Sequence, residues 1–259
     1  MTIATRRGLL LAAGIVLGWL GSWLLLLPTS LSHLHPILIG LAVVGRTLLQ
    51  TGLFIVAHDA MHGTLWPGQP RANHRIGALA LQLYAALPYT NCRANHELHH
   101  RHAGSLADPD HHGEAKPGLA SWYLRFMAAY LSPSQLTALV LSWLALAGLA
   151  ATFSSSPVAN VLLYGALPVW LSSLQLFLVG TFLPHRPYAS GPGPSPDDHQ
   201  PRSLNLPGWL SLLACFHFGY HWEHHAFPHL AWHELPGAKR RIKEAFRSSP
   251  QFAFPLSGR

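Results

Sequence analysis

The chain has 259 residues, of which 49% are apolar in the set that counts Cys, Trp and Tyr, and only 10% are charged. A soluble domain carries about a quarter charged residues, so this deficit, with a mean hydropathy of +0.22, excludes an ordinary soluble protein and places the chain in a bilayer. The formal net charge of +7 does not signal nucleic acid, because the basic residues are scattered between lipid-length apolar runs and form no continuous soluble face; it reads as a topology signal.

In chain order, Thr5-Arg6-Arg7 precedes a 20-residue apolar run, Gly8 to Leu27. That run is too long for a signal-peptide core and long enough to span, and no small-residue cleavage signal follows it. It is predicted to be an uncleaved first span, ended by Pro28-Thr29-Ser30. The link Leu31–His35 has no Lys, Arg, Asp or Glu. A second span is predicted over Pro36–Ala57, with Pro36 in the first turn, where a missing N–H costs nothing. It delivers His58 and His62 at its end.

Ile76–Pro88 is apolar over only about 13 residues, a length that suits a re-entrant or interfacial segment better than a span. It leads into His96, His99 and His100. Ser105–Gly118 is polar and holds the turn signal Asp108-Pro109-Asp110. Ser121–Tyr130 mixes aromatics with Arg125 and fits the membrane interface. A third span is predicted over Gln135–Phe153, then the uncharged link Ser154–Pro157, then a fourth span over Val158–Leu183, closed by Pro184-His185-Arg186. Tyr188–Ser203, rich in Pro, Gly, Ser and Asp, is a loop. Leu206–Gly219 is another half-length apolar piece, and it ends at the cluster His221-Trp222-Glu223-His224-His225. The tail, Lys239–Arg247, is a basic amphipathic helix suited to an anionic membrane face. With no internal repeat and no soluble second domain, residues 1–259 read as one membrane-embedded domain. The expected fold is all-α, with four transmembrane helices plus short re-entrant or interfacial helices.

Parity fixes an orientation. With Arg6 and Arg7 inside, the first span leads out and the second returns; the third and fourth repeat this. Both termini, His185 and all three histidine clusters then share the cytoplasmic face, as do sixteen of the seventeen Lys and Arg. The exception is Arg46, ten residues into the second span. A charge at that depth faces protein or water, so it is expected to snorkel, to pair with Gln175 or a backbone carbonyl, or to sit in a substrate tunnel.

The chemistry lies in the histidines, nineteen in all. His58 and His62 stand four apart. His96, His99 and His100, and likewise His221, His224 and His225, occupy positions i, i+3 and i+4, which share one helix face. Neutral imidazole suits iron, copper, zinc and nickel, and so many imidazoles exceed what one tetrahedral zinc accepts, which points to two metal ions. Imidazoles at the ends of four helices can hold two irons for O2 activation on a lipid-soluble substrate, with electrons arriving from the cytoplasm. Asp59, Glu97, Asp108 and Glu223 are the acids able to orient ligand imidazoles. His217, four residues before His221, can share its face. His74, His102, His111, His112, His229 and His233 read as hydrogen-bonding or interfacial. Cys92 and Cys215 read as small buried residues, with no disulfide expected.

The chain resembles the membrane fatty-acid desaturase/hydroxylase superfamily in its three histidine boxes. More closely, Phe54–Gly63 (FIVAHDAMHG), His96–His112 (HELHHRHAGSLADPDHH), Gly180–Arg186 (GTFLPHR) and Phe216–Pro236 (FHFGYHWEHHAFPHLAWHELP) are similar to the bacterial and cyanobacterial β-carotene ketolases. The resemblance implies a non-haem di-iron oxygenase in a bacterial cytoplasmic or cyanobacterial membrane, using O2 and a reductant such as reduced ferredoxin. It would oxidise the allylic C4 of a β-ionone ring twice, to a gem-diol that loses water to give a ketone. β-Carotene would become echinenone and then canthaxanthin, and zeaxanthin would lead to astaxanthin. The implied ligands are His58, His62, His96, His99, His100, His221, His224 and His225. Two irons with an open position need more than eight donors, and His185 is the expected ninth, since GTFLPHR is similar to the isolated histidine of superfamily members. Two other readings stand beside this one: a carotenoid ring hydroxylase or lipid desaturase on the same scaffold, and a histidine-rich metal transporter. The transporter would need ionisable residues along a transmembrane path, and Arg46 is the only one deep in a span.

Overall fold

The structure is a computed structural model in which residues 1–113, 118–186 and 201–248 are described. The predicted loop Tyr188–Ser203 lies, up to residue 200, outside them. Every regular element among the described residues is helical.

Four helices are long and apolar enough to cross a membrane: α1 (Ile3–Leu26), α2 (Pro36–Met61), α6 (Pro133–Ala150) and α7 (Pro157–His185). They are the four predicted spans, with shifted ends. The α1 helix begins five residues earlier than the apolar run, because Thr2 accepts from the Thr5 N–H at 3.1 Å and so caps the first turn ahead of Arg6 and Arg7. The α2 helix starts on Pro36, with His35 Nδ1 accepting from the Ile37 N–H at 3.3 Å, and runs on to Met61, so His58 lies inside it. The α6 helix opens on a capping box between Ser132 and Gln135. Leu17 on α1, Leu41 on α2 and Leu144 on α6 are each more than 60% exposed. Such a surface is costly in water and fits lipid.

The α7 helix contains two wide, π-type turns, Leu162–Ala166 and Phe177–Phe182. Such turns bring an extra residue into one winding and recur near functional sites.

Between the spans lie α3 (Pro70–Ala85), α4 (Tyr89–His102) and α5 (Leu119–Tyr130). The expected apolar segment Ile76–Pro88 is, in the structure, the second half of α3, which starts at Pro70 because Arg71 and Arg75 keep to its outer face while Asn73, Gly77, Ala80, Leu81 and Tyr84 are buried. It packs closely on α2. A Cβ at Gly77 would come within 2.5 Å of the Tyr89 ring and 2.6 Å of Ala60 Cβ, so only glycine permits the approach. Asn73 locks it by donating to the Ala60 carbonyl at 2.7 Å. The core continues through Leu53, Ile55, Val56 and Ala57 of α2 to Leu176 of α7 and Cys215. Cys92 and Cys215 are buried free thiols.

After α7 come α8 (Gly208–Cys215), α9 (His221–Ala226) and α10 (Leu235–Ser248). The predicted apolar piece Leu206–Gly219 is therefore one short helix followed by a sharp turn. Phe216 and His217 are both left-handed, with φ of 46° and 64°, an uncommon conformation for side chains of this size. The Phe216 and His217 N–H groups close α8 by donating to the Leu212 and Ser211 carbonyls at 2.8 and 3.0 Å.

Arg46 is buried, but not against Gln175. Its Nε donates to the Tyr164 carbonyl at 2.8 Å, and its Nη1 donates to the Trp19 carbonyl at 3.0 Å and to Ser22 Oγ at 2.7 Å. The Trp23 ring lies 4.3 Å from the guanidinium carbon. Gln175 instead accepts from Thr51 at 2.6 Å and donates to the Ala214 carbonyl at 2.7 Å. Of the sequence expectations, pairing with a backbone carbonyl is found and pairing with Gln175 is not.

Candidate metal centre

The three histidine clusters ride on α2, α4 and α9, and α7 brings His185. The α3–α2 lock at Gly77 and the turn at Leu87–Pro88 aim α4 at the end of α2, while the left-handed pair after α8 turns the chain back so that α9 faces both. Nine imidazoles converge in two groups. His58, His62, His96, His100 and His224 form one; His99, His185, His221 and His225 form the other. Within each group, one nitrogen of every residue lies within 4.8 Å of those of its partners.

The contacts inside the groups are nitrogen to nitrogen. Nε2 of His62 lies 2.7 Å from that of His96, and His100 and His224 stand at 2.9 Å. In the second group His185 and His221 stand at 2.8 Å, His225 and His221 at 3.0 Å, and His99 and His225 at 3.1 Å. Two imidazole nitrogens bound to one ion at about 2.1 Å and at right angles stand about 3 Å apart, so these spacings fit a shared cation. His58 has neither ring nitrogen hydrogen-bonded, which is costly for a buried polar group unless something else occupies it.

The electrostatics match. Burial, reinforced by neighbouring imidazoles, holds His96, His221, His224 and His225 well below the ordinary imidazole value and His100 down to about 3. Neutral imidazole is the form that ligates. His99 differs. Burial pulls it down, but the hydrogen bond to Asp108 and the charges of Asp110 and Asp108 outweigh this and raise it. Its Nδ1 stands 3.0 Å from both Asp108 oxygens, which leaves Nε2 free toward the second group.

Of the four acids predicted to orient imidazoles, Asp108 alone does so here. Glu97 pairs with Arg93 at 2.8 Å and Arg101 at 3.4 Å. Glu223 meets Ser203 Oγ and Lys239 Nζ, the latter at 3.4 Å; Ser203 Oγ also accepts from the Trp222 N–H at 3.1 Å, so this cluster anchors the start of α9. Asp59 accepts from the Trp232 N–H at 3.3 Å and lies 3.8 Å from His58 Nδ1, beyond hydrogen-bond reach. His217 does not share the face of His221: its left-handed backbone turns the ring against Tyr220 and Trp232, with centroids 5.4 and 6.1 Å away. His74 meets the Tyr89 hydroxyl at 3.0 Å, apart from both groups.

An apolar cavity of about 260 Å³ reaches the imidazoles. It ends on His58, His96, His99 and His221, and its walls carry Phe54, Leu87, Met127, Leu139, Trp143 and Phe218 from most of the surrounding elements. Sequence reasoning missed two of its lining residues, Asp110 and Tyr130. Burial, ahead of the partly opposing His99 and the repelling Asp108, pushes Asp110 up to about 6. The DPD motif marked Asp110 only as part of a turn, although a second acid two residues from a ligand-orienting one is a signal of a polar cluster. A second cavity, of about 290 Å³, lies beside Arg46, Gln50 and Trp23.

Comparison with known proteins points the same way. Residues 32–255 match the profile described as fatty acid desaturase. The chain is 41% identical over 235 residues to a protein named "Beta-carotene ketolase" from Paracoccus sp. (strain PC1), covering 89% of this chain and 91% of that one. It is 39% identical over 246 residues to a second so named, from Paracoccus sp. (strain N81106 / MBIC 01143), covering 92% and 94%. A "Zeaxanthin 4-ketolase" from Chlamydomonas reinhardtii is 38% identical over 200 residues, covering 76% of this chain and 43% of that protein.

Proposed function

This chain belongs to the fatty acid desaturase family, and from that premise we propose that it is a 4-ketolase of β-ionone rings, a single membrane-embedded unit over residues 1–259 that turns β-carotene into echinenone and canthaxanthin and zeaxanthin into astaxanthin. The observation that carries the reading is the apolar cavity ending on imidazoles of both groups. A hydrocarbon ring reaches the oxidising centre without crossing water.

His58, His62, His96, His100 and His224 would hold one iron, and His99, His185, His221 and His225 the other. Bound iron supplies the activation of O2 and the removal of hydrogen from the ring. Each hydroxylation consumes one O2, two electrons and two protons, places one oxygen on C4 and releases the other as water. Two at the same carbon give a gem-diol, which loses water to leave the ketone. The chain's own part is to orient and to exclude. Asp108 holds the Nδ1–H of His99 and so directs its Nε2. Ser203, Glu223 and Lys239 fix the start of α9. Phe54, Phe218 and Leu87 keep the ring dry. Reduced ferredoxin, or a donor like it, supplies the electrons.

The test is expression in a β-carotene-accumulating bacterium followed by pigment chromatography. Echinenone and canthaxanthin are expected. Zeaxanthin or cryptoxanthin alone would mean a C3 hydroxylase, and a new double bond a desaturase.

The metal centre, both termini and the basic helix α10 are placed on the cytoplasmic side, supported by the distribution of Lys and Arg about the four apolar helices. A reporter fused after Pro157 should be found outside the cytoplasm and one at the C-terminus inside. Both on one side would rule out this four-span orientation.

A further inference from the structure

Two polar side chains stand where the apolar cavity meets the metal ligands, and no step of the reaction above uses them. The Tyr130 hydroxyl donates to Asp110 Oδ1 at 2.8 Å, and Asp110 Oδ2 lies 3.7 Å from His99 Nδ1. The backbone of Asp110 is held in place. Its N–H donates to Asp108 Oδ1 and its carbonyl accepts from Trp122 Nε1, each at 2.8 Å, and Trp122 is itself fully buried. Both Asp110 and Tyr130 line the cavity, next to apolar Met127 and Leu131.

The cavity's other polar pair, Tyr123 and Ser173, closes on itself at 2.6 Å. Ser173 is twelve residues before His185 on α7, about 18 Å along the helix, so this pair meets a different part of a long substrate. The Asp110–Tyr130 pair meets the end beside the metals.

We propose that Tyr130 and Asp110 are the specificity residues for position 3 of the ring: they take a 3-hydroxyl as hydrogen-bond partner and thereby favour hydroxylated over unsubstituted rings. The assignment rests on the ketolase reading. With C4 presented to the imidazoles, an oxygen on C3 is only two bonds away, and it must lie close to His99, where Asp110 waits. A hydroxyl there inserts between the two: it donates to the Asp110 carboxyl and accepts from the Tyr130 hydroxyl, which gives up its own bond to Asp110. An unsubstituted ring offers neither, and the polar pair then faces hydrocarbon, which disfavours that complex.

The experiment compares β-carotene and zeaxanthin as substrates for wild type and Tyr130→Phe, as iron-loaded enzyme in membranes with an electron donor. The variant keeps Asp110 and the ring of residue 130 and loses one oxygen. The expected result is a roughly tenfold fall in kcat/KM for zeaxanthin, carried by KM, equal to one hydrogen bond. The value for β-carotene should fall much less than that for zeaxanthin, and bound iron should stay at wild-type level. Anaerobic binding, read from the shift of the carotenoid absorption band, should show the same split without turnover. If both pigments fall together, or neither changes while ketone is still made, the assignment is overturned and the pair serves only to hold Asp108 and His99. If wild type forms ketone from neither pigment, the ketolase reading fails and the assignment with it.

Discussion

His185→Ala is expected to abolish ketone formation and to lower bound iron while the protein still accumulates in the membrane. His185 Nε2 lies 2.8 Å from that of His221, and its ring packs edge-on against His99 at 4.9 Å. Its Nδ1 has no hydrogen-bond partner, so the side chain is placed by packing and by its nitrogen contacts alone. Without it the second group keeps only His99, His221 and His225, and a site that must leave a position open cannot spare a donor. Loss of a partner that merely orients a ligand costs 10- to 100-fold in metal affinity or activity, and loss of the ligand itself should exceed about 100-fold. The check is iron per chain together with pigment chromatography. Two irons per chain with near-normal turnover would remove His185 from the ligand set. His74→Ala is the control, because His74 sits beside Tyr89 and Arg93, and it should keep its iron.

Asp108→Ala should weaken metal binding about 10- to 100-fold, with the loss confined to one of the two ions. Both Asp108 oxygens face His99 Nδ1, and they also accept from the N–H groups of Gly104 at 3.0 Å and Asp110 at 2.8 Å. The carboxylate therefore fixes His99 and the backbone of its own turn together. Burial pushes Asp108 up, but the His99 hydrogen bond and charge, with the two N–H donors, overcome this and hold it below the usual carboxylate range. Asp108→Asn retains an acceptor for His99 and should lose less. Competition against a graded chelator measures the effect, and an Asp108→Ala protein whose two ions leave together at wild-type chelator concentration would refute it.

The spans were legible because a bilayer demands about twenty apolar residues in a row, and four such runs are plain in this chain. The histidine spacing was legible because i, i+3 and i+4 mean one helix face wherever the helix lies, and eight of the nine clustered imidazoles follow from that rule. His185 has no spacing partner and came through a resemblance. What stayed hidden depended on contacts and backbone turns that residue spacing does not record. Asp59, Glu97 and Glu223 adjoin histidines of the three clusters, and adjacency cannot show that Trp232, Arg93 and Ser203 claim them while Asp108, which adjoins none, meets His99. His217 has helical spacing to His221, but Phe216 and His217 are left-handed and break the helix between them. The start of α3 was hidden by Arg71 and Arg75, whose charges mask a buried face set by Asn73, Gly77 and Leu81. The Asp110–Tyr130 contact joins residues twenty apart, and no periodicity announces it.

Arg46 bears on how the protein is made. Its acceptors come from either side of it in the order of synthesis: the Trp19 carbonyl and Ser22 hydroxyl belong to α1, which is made before α2, and the Tyr164 carbonyl to α7, which follows more than a hundred residues later. A guanidinium at the middle of a helix entering lipid alone is penalised by about 2.5–3.5 kcal/mol. The nascent second span therefore partitions most readily as a hairpin with the first, which already presents two of the three acceptors and both tryptophans. The last bond closes only when the fourth span arrives, so truncated chains ending before α7 should remain longer in the insertion machinery than the sum of their hydropathies implies.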